Sequence, residues 1–211
     1  MKKTLLLLAL IFLSFTEGRA QNIKGILILG TNTTQIDGDE IRGYKKWGLN
    51  GGVGGMMALG DRSPWNIGME VLYTQKGSKQ KGAYEVTLPY AEVPVLVHFE
   101  DRQGGFTFGA GLAYGRMISD VETKGSNYLD STTSFLKDEL SIIADIRFKI
   151  WKQLKFNFRF QYSLMPIRKD WVFTDQFGKS WTRNAYSNAL TFRLLWVFNE
   201  KEQSKYKRRR R

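Results

Sequence analysis

The sequence predicts an all-β fold, an eight-stranded antiparallel transmembrane β-barrel, on three observations. First, residues 139–165 read as two alternating strands joined at Trp151-Lys152-Gln153. Leu140, Ile142, Ala144, Ile146, Phe148 and Ile150 share one parity, and Leu154, Phe156, Phe158, Phe160, Tyr162 and Leu164 continue it. Side chains alternate faces along a strand, so each run has one apolar and one polar face. Each run matches the ~9–11 residues that a tilted strand needs to cross hydrocarbon. Second, eight such runs are joined by connections that alternate long and short, as in outer-membrane barrels. Third, the polar parity of several runs is lined by small residues, which suits a crowded interior better than a water-facing exterior.

The strands follow a short leader. Lys2-Lys3, an apolar run from Leu5 to Phe15 and Gly18-Arg19-Ala20 make the three-part plan of a signal peptide, residues 1–20, cleaved before Gln21. The barrel is expected over 21–198 and a basic periplasmic tail over 199–211. Asn22 to Leu29 is a short first strand and 30–46 a polar loop. Trp47 to Leu59 forms the second strand, 60–64 a turn, and Trp65, Ile67, Met69, Val71 and Tyr73 mark the third. A basic loop with Lys76, Lys79 and Lys81 follows.

The fourth strand, Tyr84 to Phe99, changes parity. Val86, Leu88 and Tyr90 are even, whereas Val93, Val95, Val97 and Phe99 are odd. One extra residue near Ala91-Glu92, a β-bulge, would restore the facing, and Pro89 and Pro94 bracket it. The fifth strand alternates from Phe106 to Tyr114, and a long loop covers 118–138. After the 139–165 hairpin, residues 166–188 form the last long loop. Leu190 to Phe198 is the eighth strand, its polar face blurred by Leu195 and Val197. Both termini then lie in the periplasm, and the loops beginning at 30, 76, 118 and 166 face outward. Trp47, Trp65, Tyr73, Tyr90, Tyr114, Trp151 and Trp196 fall near strand ends, where an interfacial girdle belongs.

A soluble barrel gives the same alternation with its apolar face inward, so the polar parity separates the two. Gly48, Gly52, Gly54, Gly68, Gly109, Gly111, Ala113 and Gly115 occupy much of it. They leave room in a narrow lumen for Arg147, Arg159 and Arg193. Glu70, Glu92 and Asp145 share that side once the bulge is counted. Buried charges must be paired, so the six form an expected carboxylate–arginine network, with Arg159 and Arg147 on Asp145 or Glu70.

Composition narrows the function. The chain has no cysteine and one histidine, which removes thiolate and multi-histidine metal sites. No metal, cofactor or catalytic group is expected. The net charge of +12 is uneven: residues 199–211 carry seven Lys or Arg and two Glu, a net of +5. No basic stripe on the barrel body suggests nucleic acid. Lys205, Lys207, Arg208, Arg209, Arg210 and Arg211 could instead dock an acidic partner or lipid headgroups. The expected partners are outer-membrane lipid and an envelope protein held through the loops or this tail. A filled eight-strand lumen argues against a diffusion pore. Two alternatives stand beside this structural or interaction role. A membrane enzyme would need a loop site, for which Asp37, Asp39, Asp120 or Asp130 are candidates, since His98 lies beside Glu100 and Asp101 at a periplasmic turn. A soluble ligand-carrying barrel would extract into buffer without detergent.

The segments GLNGGVGG at 48–55, MEVLYTQKGSK at 69–79, LPYAEVPVLVHF at 88–99 and GFTFGAGLAYG at 105–115 resemble the PorT-like outer-membrane β-barrels of Bacteroidota. The similarity covers the mature chain to Phe198, and residues 73–77 with 90–94 are its most specific part. The resemblance implies an eight-stranded outer-membrane barrel. Some members are linked to secretion of proteins to the cell surface and to gliding. The matched positions are architectural, so no catalytic residue is carried over. The tail beyond Phe198 departs from the pattern.

Overall fold

Alternation turns every predicted run into a strand, and the strands extend well past their apolar stretches. The computed structural model describes residues 23–39, 43–60, 63–82, 84–101, 105–119, 121–125, 135–174 and 177–199. The expected signal peptide and the tail beyond Asn199 lie outside them. The elements are β1 (Ile23–Asp37), β2 (Lys46–Ala58), β3 (Trp65–Gln80), β4 (Tyr84–Glu100), β5 (Phe106–Met117), β6 (Glu122–Gly125), β7 (Asp138–Trp151), β8 (Leu154–Ser163), β9 (Arg168–Thr174) and β10 (Ser180–Val197). Neighbours pair antiparallel in the order β1-β2-β3-β4-β5-β7-β8-β10, and β10 pairs back onto β1. Eight strands therefore close a barrel. The two others extend it at one end: β6 pairs with β4, and β9 with β10.

The long connections are shorter than the sequence predicts. Residues 30–37, GTNTTQID, continue β1 rather than forming a loop, and Asp37 still pairs with Tyr186. Threonine suits a pleated strand, and beyond the lipid no apolar outward face is needed. Likewise β3 runs to Gln80, and β6, β9 and the first part of β10 lie in the expected loops. The short turns and both termini of the barrel share one end, here the turn end. The extensions crowd the other, the loop end.

Strand β4 overturns the expected bulge. Its register with β3 is the same at Met69↔Val95 and at Leu72↔Glu92, and with β5 it is continuous from Tyr90↔Met117 to Glu100↔Thr107. Even residues therefore face inward throughout. Val86, Leu88 and Tyr90 point into the barrel because its loop-end interior is apolar, where they pack with Ile36, Met117, Ile167, Trp171 and Ala185.

Outward residues form a belt of exposed apolar side chains, among them Leu27, Val53, Met69, Val95, Phe108, Ile142 and Leu194. In water such a continuous belt would be an aggregation surface, whereas in a bilayer it is the contact face. Trp65, Phe99, Phe106, Trp151 and Trp196 ring it at the turn end, and Trp47, Tyr73 and Tyr114 at the loop end. Tyr90 does not belong to this girdle, because it is fully buried inside. Leu195 and Val197, which blurred the last strand, also face the lumen, where Leu195 packs with Ile26, Ile28, Met56 and Leu72.

Candidate functional site

The lumen collects the chemistry, and inward parity on five strands builds it in two charged tiers. The tier nearer the turn end centres on Glu70 of β3. Arg159 of β8 holds Glu70 through Nη1 at 3.0 Å and Nη2 at 3.1 Å, and its Nη2 also donates to Asp145 of β7 at 2.9 Å. Arg147 of β7 donates to Glu70 Oε1 at 3.1 Å. Arg193 of β10 donates from Nη1 to Glu70 Oε2 at 2.9 Å and from Nε to Asn157 at 2.8 Å. Planar guanidinium groups can share two carboxylates in this way, where ammonium groups would give only point contacts.

Glu92 is the one residue of the expected network that sits elsewhere. It belongs to a second tier nearer the loop end, where Lys76 of β3 lies 2.6 Å from Glu92 and 2.7 Å from Glu139 of β7. Thr74 and Gln161 also donate to Glu92, at 2.9 and 3.0 Å. Lys76 was expected in a loop. It is 1% exposed, because β3 carries inward parity past the membrane belt. Three guanidinium groups face two carboxylates in the first tier, and one ammonium faces two in the second. The two imbalances offset each other, so the two tiers together bring four basic side chains against four acidic ones.

His98 is a further residue that sequence position misplaced. Two residues from its strand end, it points inward and is 1% exposed, with Nε2 3.5 Å from Asp145 Oδ1. Space for the ring comes from two glycines. A Cβ on Gly109 would lie 2.8 Å from His98 Nε2, and one on Gly68 3.4 Å from Cε1. The glycine spacing was visible in the sequence, and what it accommodates was not.

The loop end is sealed by the apolar cluster around Tyr90. Arg168 of β9 lies over it, with its guanidinium carbon 4.2 Å from the Trp171 ring centre and 5.4 Å from that of Phe135. Outside the membrane belt, Glu85 accepts from Lys46 at 2.6 Å and pairs with Lys79 at 2.7 Å. Those hydrogen bonds, that from Lys46 first, hold its carboxyl down at about 2.

Two of the four loop carboxylates lie among the described residues. Asp37 accepts from Gln35 and, at 3.5 Å, from Asn188, and Asp39 is buried apart from His98. Asp120 and Asp130 lie outside the described residues, as do Lys205, Lys207 and Arg208 to Arg211. Among the described residues no group of three His, Cys, Asp or Glu is placed to hold a metal ion.

Several solved structures are similar. The attachment invasion locus protein Ail of Yersinia pestis is 12% identical over 84% of this chain and 99% of that one, with a TM-score of 0.47. Neisserial surface protein A is 14% identical over 86% and 100%, with a TM-score of 0.49. OprG of Pseudomonas aeruginosa is 13% identical over 84% and 96%, with a TM-score of 0.44. No curated protein matches the chain in sequence. Residues 5–198 match the profile of the outer membrane protein beta-barrel domain, and the chain belongs to that family.

Proposed function

We propose that this chain is a non-conducting outer-membrane anchor, serving as a structural or interaction subunit of an envelope complex. The observation that carries the reading is the filled lumen. Two tiers of buried ion pairs, and the apolar cluster beyond them, occupy the space a solute would cross. General diffusion pores use about 16–18 strands. The surfaces left for a partner are the ribbons at the loop end and the basic tail. Lys205, Lys207 and Arg208 to Arg211 would dock an acidic protein or lipid headgroups there. Short turns and both barrel ends share one side, which supports periplasmic termini. The resemblance to PorT-like barrels of Bacteroidota narrows the proposal to a complex linked to protein secretion or surface assembly.

Affinity purification from native membranes in mild detergent, with and without residues 199–211, tests the reading. One envelope protein should accompany the full chain and be lost with the tail. A barrel that purifies alone in both cases would end the subunit proposal. Steady ion conductance from the folded barrel in a planar bilayer would end the anchor proposal.

A further inference from the structure

One flank of the barrel carries apolar residues where water or headgroups should be. On β5, β7 and β8, Tyr114 and the exposed Arg116–Asp138 pair mark where hydrocarbon ends. Tyr114 donates to Asp138 at 2.6 Å, and Arg116 reaches the same oxygen at 3.2 Å. An ion pair this exposed does not sit among acyl chains. Yet Ile118 and Leu136 stand beyond that pair, and Leu164 and Met165 beyond Tyr162, exposed by 55, 36, 51 and 45%. The backbone fixes them there: Ile118 donates to Pro89, Leu136 to Ile167 and Leu164 to Leu140. Directly below, Ala110 and Ala144 pair in register and face outward, a shallow dip in the belt between larger side chains.

We infer that this flank is a two-fold interface between copies of this chain in the membrane. The occupant follows from the charges. A two-fold axis through the patch sets Arg116 of each copy against Asp138 of the other, with the four apolar residues closing around them. An isologous surface must be complementary to itself, and the Arg116–Asp138 pair at the centre of this patch is, with the exposed Lys137 beside it as a second cation. The opposite flank also has outward glycines, Gly25, Gly51 and Gly55, but its loop end carries the exposed Lys45 and Lys81 beside the Lys79–Glu85 pair, an excess of positive charge. Two copies meeting there would oppose like charges. This pairing rests on the barrel alone and not on the partner proposed above.

The absence of cysteine makes the test clean. Full-length chain carrying Met165→Cys is reconstituted in vesicles of phosphatidylethanolamine and phosphatidylglycerol and treated with a short bis-maleimide. A band at twice the monomer mass is expected, and none from Leu49→Cys on the opposite flank. Adding Arg116→Glu or Asp138→Arg should each abolish the band while heat-modifiability shows that both variants fold. Mixing these two should restore it, because each substituted side chain then meets an opposite charge across the axis. No dimer band from Met165→Cys, or a band indifferent to both charge changes, would overturn the interface.

Discussion

Arg159 and Glu70 face each other across the lumen, with Nη2 donating to Glu70 at 3.1 Å and to Asp145 at 2.9 Å, and Nη1 in ion-pair contact with the other Glu70 oxygen at 3.0 Å. One planar group thus ties β3, β7 and β8 together from inside. Removing one partner of such a buried set leaves uncompensated charge, a loss of about 3–5 kcal/mol. Arg159→Ala should therefore lower the temperature at which the folded band converts in heat-modifiability gels. Arg159→Lys should recover only part, since an ammonium cannot hold both oxygens in a plane. An unchanged transition in Arg159→Ala would remove the network from the list of stabilising features.

Gly109 sets a different test. A methyl there falls 2.5 Å from His98 Cδ2 and against the Asp145 carboxylate. Overpacking of this kind costs about 1–3 kcal/mol. Gly109→Ala should lower the urea midpoint of unfolding, and His98→Ala in the same chain should return part of the loss. Strict additivity of the two changes would show that the ring and the glycine are not coupled.

Val95 and Leu96 are neighbours with opposite surroundings, one in the exposed belt and the other fully buried in the lumen. Arginine at a bilayer-midplane position costs about 2–4 kcal/mol. Val95→Arg should lose folding yield in lipid vesicles, while Phe99→Arg, at the turn-end ring, should lose less. Equal costs at the two depths would contradict a membrane belt.

The hairpin that joins β3 to β4 has an acid-sensitive clasp. Glu85 is depressed from 4.5 to about 2 by Lys46 and then Lys79. A depressed carboxyl contributes its stability above the unfolded value and loses it as pH falls through the folded one. The clasp should therefore hold above pH 4.5 and loosen from there down to about 2. An NMR titration of the Glu85 carboxyl carbon checks this, and Lys46→Met should move its midpoint upward. A midpoint near 4.5 in the unaltered chain would show that neither lysine grips it.

Parity made the arginines legible. Arg147, Arg159 and Arg193 alternate with bulky apolar residues over full strand lengths, so their shared side follows from the pleat. Glu92 shares that side without the bulge that the sequence predicts, and its partner Lys76 falls in what the sequence reads as a loop. Lys76 lies past the last outward apolar residue of its run, where alternation carries no hydrophobic signal. The same blindness shortened β1 and split β4: outside lipid, strands need no apolar outward face, and the interior itself becomes apolar. Nearness to a strand end says nothing about facing, and the even parity of His98 turns it into the lumen.

Gly30 and Arg193 are cross-strand neighbours on β1 and β10, at the line where the first strand of the barrel meets the last. The absent side chain on one leaves room for the stem of the other, whose guanidinium goes on to reach Glu70 on β3. A barrel with this line unzipped would hold that cation away from its carboxylate. Sealing the cylinder and completing its charge balance are therefore one event, so the wall behaves as a latch sprung from within.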